Sequence, residues 1–182
     1  MIVRMLGPLF LIMAAFAPAS AAGQAIGAED RAAIEARVAA FDRVMSAGRV
    51  GDTLDFVPQR LLDAMARNAG VEPEAVRAAF AEEVGKLAHL LKFVSFDMDV
   101  GSATSAVTPD GSRGYMLIPT ETVIEMPGAG RVRSVTSTLA MKDGDQWYLV
   151  RIEDAEQIVI LRKVYPEFTG VEFPAGSITA VE

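Results

Sequence analysis

The chain of 182 residues contains no cysteine and only one histidine, His89. Without cysteine it has no disulfide, no thiolate metal ligand, no cysteine nucleophile and no lipid-modified cysteine. With a single histidine it has neither a cluster of histidine metal ligands nor a two-histidine proton relay. The Gly-x-Ser-x-Gly pattern of many serine hydrolases is also missing. These absences exclude several classes of enzyme before any fold is considered. The sequence predicts that the protein binds no metal and no cofactor.

Positive charge is scarce, since the formal net charge is −7 and the lysines and arginines are scattered. Proteins that bind nucleic acid hold the phosphates with clustered basic side chains, so the sequence predicts no nucleic-acid partner. Long apolar runs are missing after Ala22, whereas a membrane-spanning helix needs about 20 consecutive apolar residues. The sequence therefore predicts no integral membrane segment in the mature chain.

The N-terminus has the pattern of an export signal. Arg4 precedes an apolar run over residues 5–16, and the small residues 19–21 are typical of a cleavage site. This pattern predicts a signal peptide over residues 1–22, a flexible leader over 23–28, and a periplasmic or secreted location. Residues 29–182 then form a single domain, long enough to bury a substantial core.

Helical spacing of apolar residues dominates the first half of the domain. One helix is predicted around Ile34, Val38, Phe41, Val44 and Met45, ending at Gly48. A second begins at Pro58, buries Leu61, Leu62 and Met65, ends near Gly70 and packs on the first. A third opens at residues 72–73 and carries Val76, Phe80, Val84, Leu87 and Leu91 on one stripe, with Glu82, Lys86 and His89 away from it.

From Lys92 the apolar period changes to two, which indicates strands. In the first strand Val94, Phe96, Met98 and Val100 are expected on one face, and Phe93, Ser95, Asp97 and Asp99 on the other. Turn signals at residues 108–111, 127–130 and 142–145 separate further strands over 103–108, 113–126, 131–142 and 146–152. Beyond Ile152, Asp154 and Gln157 predict a capped helix that carries Ile158, Leu161 and Val164 and ends at Pro166. An edge strand is the alternative, because residues 158–161 are rich in β-branched side chains, and the tail from residue 168 is expected to lie on the body of the domain.

The predicted fold class is α+β, with N-terminal helices packed on a strongly curved antiparallel sheet. This order, closing on Gly144-Asp145-Gln146-Trp147-Tyr148, resembles the nuclear transport factor two-like superfamily over residues 29–152. The resemblance implies a cone in which the sheet wraps a long helix and leaves a pocket. Members of that superfamily include binding domains as well as isomerases and dehydratases, so it does not choose one function. The helices before the sheet, together with Trp147, are also similar to exported phospholipid carriers.

The predicted ligand pocket is lined by Phe80, Met116, Ile118, Met141 and Trp147. Thioethers are flexible, so the strand methionines suit either an adaptable apolar pocket or the filling of a core. Trp147 and its neighbour Tyr148 are expected to pack on opposite faces of the last strand.

Catalysis of the ketosteroid isomerase type would need a phenol and a carboxylate, and the nearest candidates are Tyr115 and Glu121. They share one face of the long strand. Glu125, further along the same face, indicates instead that this face is solvated. Asp97 and Asp99 are either a cation site or part of a solvated face of their strand. Arg131 and Arg133 either form a carboxylate clamp or are solvated cations. His89 is either a general base or a side chain that faces solvent.

The sequence thus favours an exported protein with a non-enzymatic role that binds a small apolar ligand or a protein partner. A cofactor-free isomerase or dehydratase is one alternative. A periplasmic lipid carrier or a module that forms a homodimer is another.

Overall fold

The computed structural model describes residues 25–88, 92–128, 130–152 and 154–181. Helices occupy its N-terminal part: α1 (Ala28–Ser46), a 3₁₀ segment (Val50–Phe56), α2 (Gln59–Ala69) and α3 (Pro73–Ala88). The three predicted helices are confirmed. The signal peptide predicted over residues 1–22 lies outside the described residues, as does His89.

The ends of the first two helices follow from local chemistry. Glu29 and Asp30 lie in the first turn of α1 and Arg43 in its last, which matches the helix dipole. Gly48, just beyond α1, and Gly70, which caps α2, have φ values of 68° and 69°. Only glycine adopts this left-handed conformation without strain, so both helices end where the sequence predicts.

The packing of α2 differs from the prediction. Met65 is 38% exposed rather than buried, and α2 packs against α3 and the C-terminal helix instead of α1. The 3₁₀ segment contacts both α1 and α3 and so occupies the space beside α1. Leu61 and Leu62 are buried as predicted.

Within the described residues the sheet has six antiparallel strands and curls strongly into a half-barrel. Its strands are β1 (Lys92–Met98), β2 (Thr104–Val107), β3 (Gly114–Met126), β4 (Gly130–Asp143), β5 (Gln146–Ile152) and β6 (Ser177–Val181). β1 and β2 pair with one edge of β3, and β4 pairs with the other. β5 and β6 lie end to end along the free edge of β4. The first five strands were predicted, whereas β6 was not.

Two apolar clusters lie on opposite faces of this sheet. On the first face, here called the α1 face, Met116 and Ile118 pack with Ile34 and Val38 of α1. On the second, the α4 face, the cluster comprises Tyr115, Leu139, Met141, Val150, Leu161, Tyr165, Phe168 and others. One face of the sheet is therefore covered by α1, and the other by α4 and the segment that follows it.

A β-bulge changes the predicted alternation of β1. The register shifts between Phe93 and Ser95, and Phe93 lies opposite Ile124 on the α1 face, together with Phe96. Val94 is 41% exposed instead of facing the core. The extra residue of a bulge reverses the side-chain alternation on one side of it, so the prediction for Val94 and Phe93 is wrong.

The C-terminal segment begins with helix α4 (Ala155–Val164). The Asp154 carboxylate accepts a hydrogen bond of 2.9 Å from the backbone N–H of Gln157, which is the predicted cap. The helix is confirmed and the alternative of an edge strand is wrong. A 3₁₀ turn (Pro166–Phe168) follows, and Phe168 and Val171 are buried on the α4 face.

Among the described helices, none is both long and apolar enough to cross a membrane.

Candidate functional site

An apolar cavity of about 310 Å³ lies where the helices meet both ends of the curled sheet. Its wall is formed by α1, the 3₁₀ segment, α2, α3, β1, β5 and α4. Three polar side chains take part, those of Thr53, Arg151 and Gln157, and the other lining residues are apolar. The volume is at the lower end of the range for small-molecule sites, about 300–1,000 Å³.

The curl of the sheet creates this cavity. Phe93 and Phe96 come from β1, at one end of the strand order, and Leu149 comes from β5, at the other end. Phe41 of α1 lies between these walls. Its ring centroid is 5.0 Å from that of Phe56 in an edge-to-face arrangement and 5.2 Å from that of Phe96. The aromatic contacts hold α1, the 3₁₀ segment and β1 together at the cavity.

Part of the wall is open to solvent. Phe93 is 46% exposed and Met65 is 38% exposed, although both line the cavity. Phe80 of α3 is half-buried beside them. These side chains present apolar surface that a bound molecule would cover.

Of the predicted pocket residues, only Phe80 lines this cavity. Met116 and Ile118 are fully buried in the cluster on the α1 face. Met141 pairs with Tyr115 and is therefore on the opposite face, also fully buried. Trp147 is 6% exposed and packs in the α1-face cluster, where its indole N–H donates to the Asp30 carboxylate over 3.2 Å. Tyr148 follows on the other face of β5, as predicted.

The two candidate residues of the isomerase alternative are not brought together. Tyr115 is buried, with its ring centroid 5.6 Å from that of Phe168, and burial raises the pKa of its phenol. Glu121 lies near the other end of β3, roughly 20 Å further along a strand that rises about 3.3 Å per residue. Its carboxylate accepts a hydrogen bond of 2.5 Å from Arg133, which lowers the pKa of Glu121.

The surface around Glu121 carries paired charges. Arg131 lies 3.6 Å from Glu125, and Lys92 approaches the same carboxylate at 3.6 Å. With the Arg133–Glu121 pair, these are exposed contacts across neighbouring strands. Arg131 and Arg133, predicted as a carboxylate clamp or as solvated cations, each face a carboxylate of the same sheet.

The carboxylates predicted as a possible cation site have separate surroundings. Asp97 is exposed on β1, whereas the Asp99 carboxylate accepts hydrogen bonds from the backbone N–H and hydroxyl of Ser102, which lower its pKa. The described residues contain no group of three or more histidine or acidic side chains placed to hold a metal ion.

Sequence reasoning missed most of the cavity wall. Phe41 and Phe96 were placed correctly on apolar faces, but no signal showed that the faces meet at a cavity. Phe93 was assigned to the wrong face because of the bulge. Thr53 and Leu54 belong to the 3₁₀ segment, whose seven residues mix polar and apolar side chains and are too few to show a helical period.

Taken together, the fold and the cavity define an α+β domain whose curled antiparallel sheet and helices enclose an apolar site. Comparison with known proteins gives no match: no family model, no curated protein and no solved structure is significantly similar to this chain.

Proposed function

We propose that this is an exported protein with a non-enzymatic role that binds a small apolar ligand in the cavity. The observation that carries the proposal is the wall itself, which is apolar apart from three side chains and is supplied by seven elements of the fold. The N-terminal pattern of Arg4, the apolar run and the small residues supports export. The helices on a curled sheet support membership of the nuclear transport factor two-like superfamily.

Burial of apolar surface supplies the energy for such binding. Each 100 Å² of apolar surface that ligand and wall remove from water contributes roughly 2.5 kcal/mol. Phe93 and Met65 offer part of this surface, since both are exposed in the cavity wall. A ligand gains affinity by covering these side chains, so binding requires no chemical reaction in the site.

The first experiment is native mass spectrometry of the protein expressed with its own N-terminus and purified without detergent. Denaturation then releases any bound molecule for identification. We expect an adduct of small-molecule mass on the exported chain, and the released compound to be predominantly apolar.

Two variants locate the binding site. Phe93→Ser and Met65→Ser remove exposed apolar surface from the wall, and each is expected to weaken binding of an apolar fluorescent probe such as N-phenyl-1-naphthylamine. Val159→Ser and Ile178→Ser are matched controls, because these side chains are 49% and 75% exposed and do not line the cavity. Equal probe binding by all four variants, together with a chain that carries no adduct, would refute the proposal.

A second candidate function is self-association, which the exposed β6 edge favours. β6 contains no charged residue and exposes 75% of Ile178. Among the described strands it pairs with β4 alone, along one edge. Bare edges of this kind promote pairing with another strand. Sedimentation velocity should then show a dimer that Ile178→Lys dissociates, and a monomer at all concentrations would exclude this function.

A further inference from the structure

A basic groove lies between α2 and α4, directly beside the apolar cavity. Arg60, Arg67 and Lys163 line the groove, and so does Ile160. Ile160 also lines the apolar cavity. The two sites are therefore neighbours that share one side chain.

The cations of this groove differ in how they are engaged. Arg60 donates to the carbonyl of Val164 over 3.3 Å and lies 3.6 Å from the Asp143 carboxylate. Arg67 and Lys163 are exposed and form no ion pair within the described part of the chain. Two cations are thus available in the groove.

Asp63 is the one acidic residue among the described residues that line the groove. Two further carboxylates contact lining residues from outside it, Asp143 beside Arg60 and Glu156 beside Asn68. The Asp63 carboxylate already accepts a hydrogen bond of 2.8 Å from the Gln59 amide. The chain as a whole has a net charge of −7, so this groove differs in sign from the protein around it. An anion is the ligand group that such a groove favours.

We propose that the ligand is a single-chain amphiphile with an anionic head group. Its chain occupies the apolar cavity, and its head group reaches past Ile160 to Arg67 and Lys163. This inference rests on the function proposed above. A cavity of about 310 Å³ has room for about ten groups of the size of a water molecule. A chain of about ten carbons fits that space.

The experiment compares decanoate with decanol, which has the same chain length and no charge. Binding is measured by displacement of N-phenyl-1-naphthylamine from the purified exported chain. The test variant is Arg67→Ala/Lys163→Ala. The matched control is Arg43→Ala/Arg131→Ala, which removes two exposed cations that line neither the groove nor the cavity.

Decanoate is expected to bind the unmodified chain more tightly than decanol by about two- to thirtyfold, the range for two exposed charge contacts. This preference should disappear in the test variant and persist in the control. It should also fall as ionic strength rises, while decanol binding stays constant. A parallel titration with decanoyl lysophosphatidylglycerol distinguishes a fatty acid from a lysophospholipid. The groove accepts the head group of whichever compound loses more affinity in the test variant.

The outcomes separate this inference from the function on which it rests. If decanol binds as tightly as decanoate and the test variant changes neither, the anionic head group is refuted while the apolar site stands. If neither compound displaces the probe, the proposed function itself is refuted. Circular dichroism and urea unfolding of both double variants confirm that the comparison is made between folded proteins.

Discussion

A buried pair of hydroxyl groups on the α1 face allows a quantitative test of the packing. Thr120 and Thr138 are 1% and 2% exposed, and their Oγ1 atoms are 2.7 Å apart. Thr120 also donates to the carbonyl of Ile118 over 3.1 Å, so Thr138 must be the donor within the pair. The two residues therefore lose different interactions when each is replaced by valine.

We expect Thr120→Val to lower the free energy of unfolding by about 1–3 kcal/mol, because the Thr138 hydroxyl then stays buried without its acceptor. Thr138→Val should cost about 0.5–1.5 kcal/mol, since Thr120 keeps its bond to Ile118. The double variant removes both hydroxyls and leaves no unpaired donor from the pair. It should cost less than Thr120→Val alone, and not the sum of the two.

The assay is urea unfolding followed by the fluorescence of Trp147, which is the only tryptophan in the chain. Slopes of the transition should agree between variants, so that differences in midpoint report stability. Thr104→Val is the control, because this threonine is exposed and the change should stay within about 0.5 kcal/mol. Additive losses in the double variant would show that the hydroxyls do not depend on each other, and the reasoning would be wrong.

Three further changes test other parts of the structure by the same unfolding assay. Asp154→Ala removes the cap of α4 and should cost about 1 kcal/mol, and an unchanged midpoint would mean that the cap does not stabilise the helix. Burial, followed by the nearby Asp97 charge, raises the pKa of Asp42, so the ionised carboxylate opposes folding. Asp42→Asn should therefore raise the midpoint at pH 7, by an amount that shrinks as the pH falls from the raised pKa through the ordinary pKa of aspartate. A gain that persists below the ordinary pKa would point to another cause. Met116→Ala, in the core, should cost about 2–5 kcal/mol, and the half-buried Met126→Ala less, whereas equal losses would contradict the burial of Met116.

Local sequence signals predicted most of the elements. Turns with Asp-Gly and Pro-Gly mark both ends of β4, and the strand from Gln146 to Ile152 was predicted with the bounds it has. The Asp154 cap and the glycines after α1 and α2 determine where helices begin or end. They act only on the neighbouring turn of the backbone, so they can be recognised without knowing the rest of the fold.

Features that depend on distant parts of the chain were not predicted. β6 pairs with β4 although it is only five residues long and every residue except the last is exposed, so no buried apolar face marks it as a strand. The face of Met141 follows from its register opposite Tyr115, which the sequence of neither strand specifies. The cavity was missed for the same reason, since Phe41, Phe93 and Ile160 meet only after the sheet has curled.

The end-to-end arrangement of β5 and β6 along β4 has a consequence for the order of folding. Short turns join β3, β4 and β5, so these strands pair with little loss of chain entropy. β6 returns to β4 only after α4 and the following 3₁₀ turn, and its contacts span a much longer loop. Contacts of that kind form late, and segments with few buried contacts open locally at low free energy. Amide hydrogens of β6 should therefore exchange with solvent well before those of β3 and β4. When β6 opens, the part of β4 that it covers becomes an unpaired strand edge.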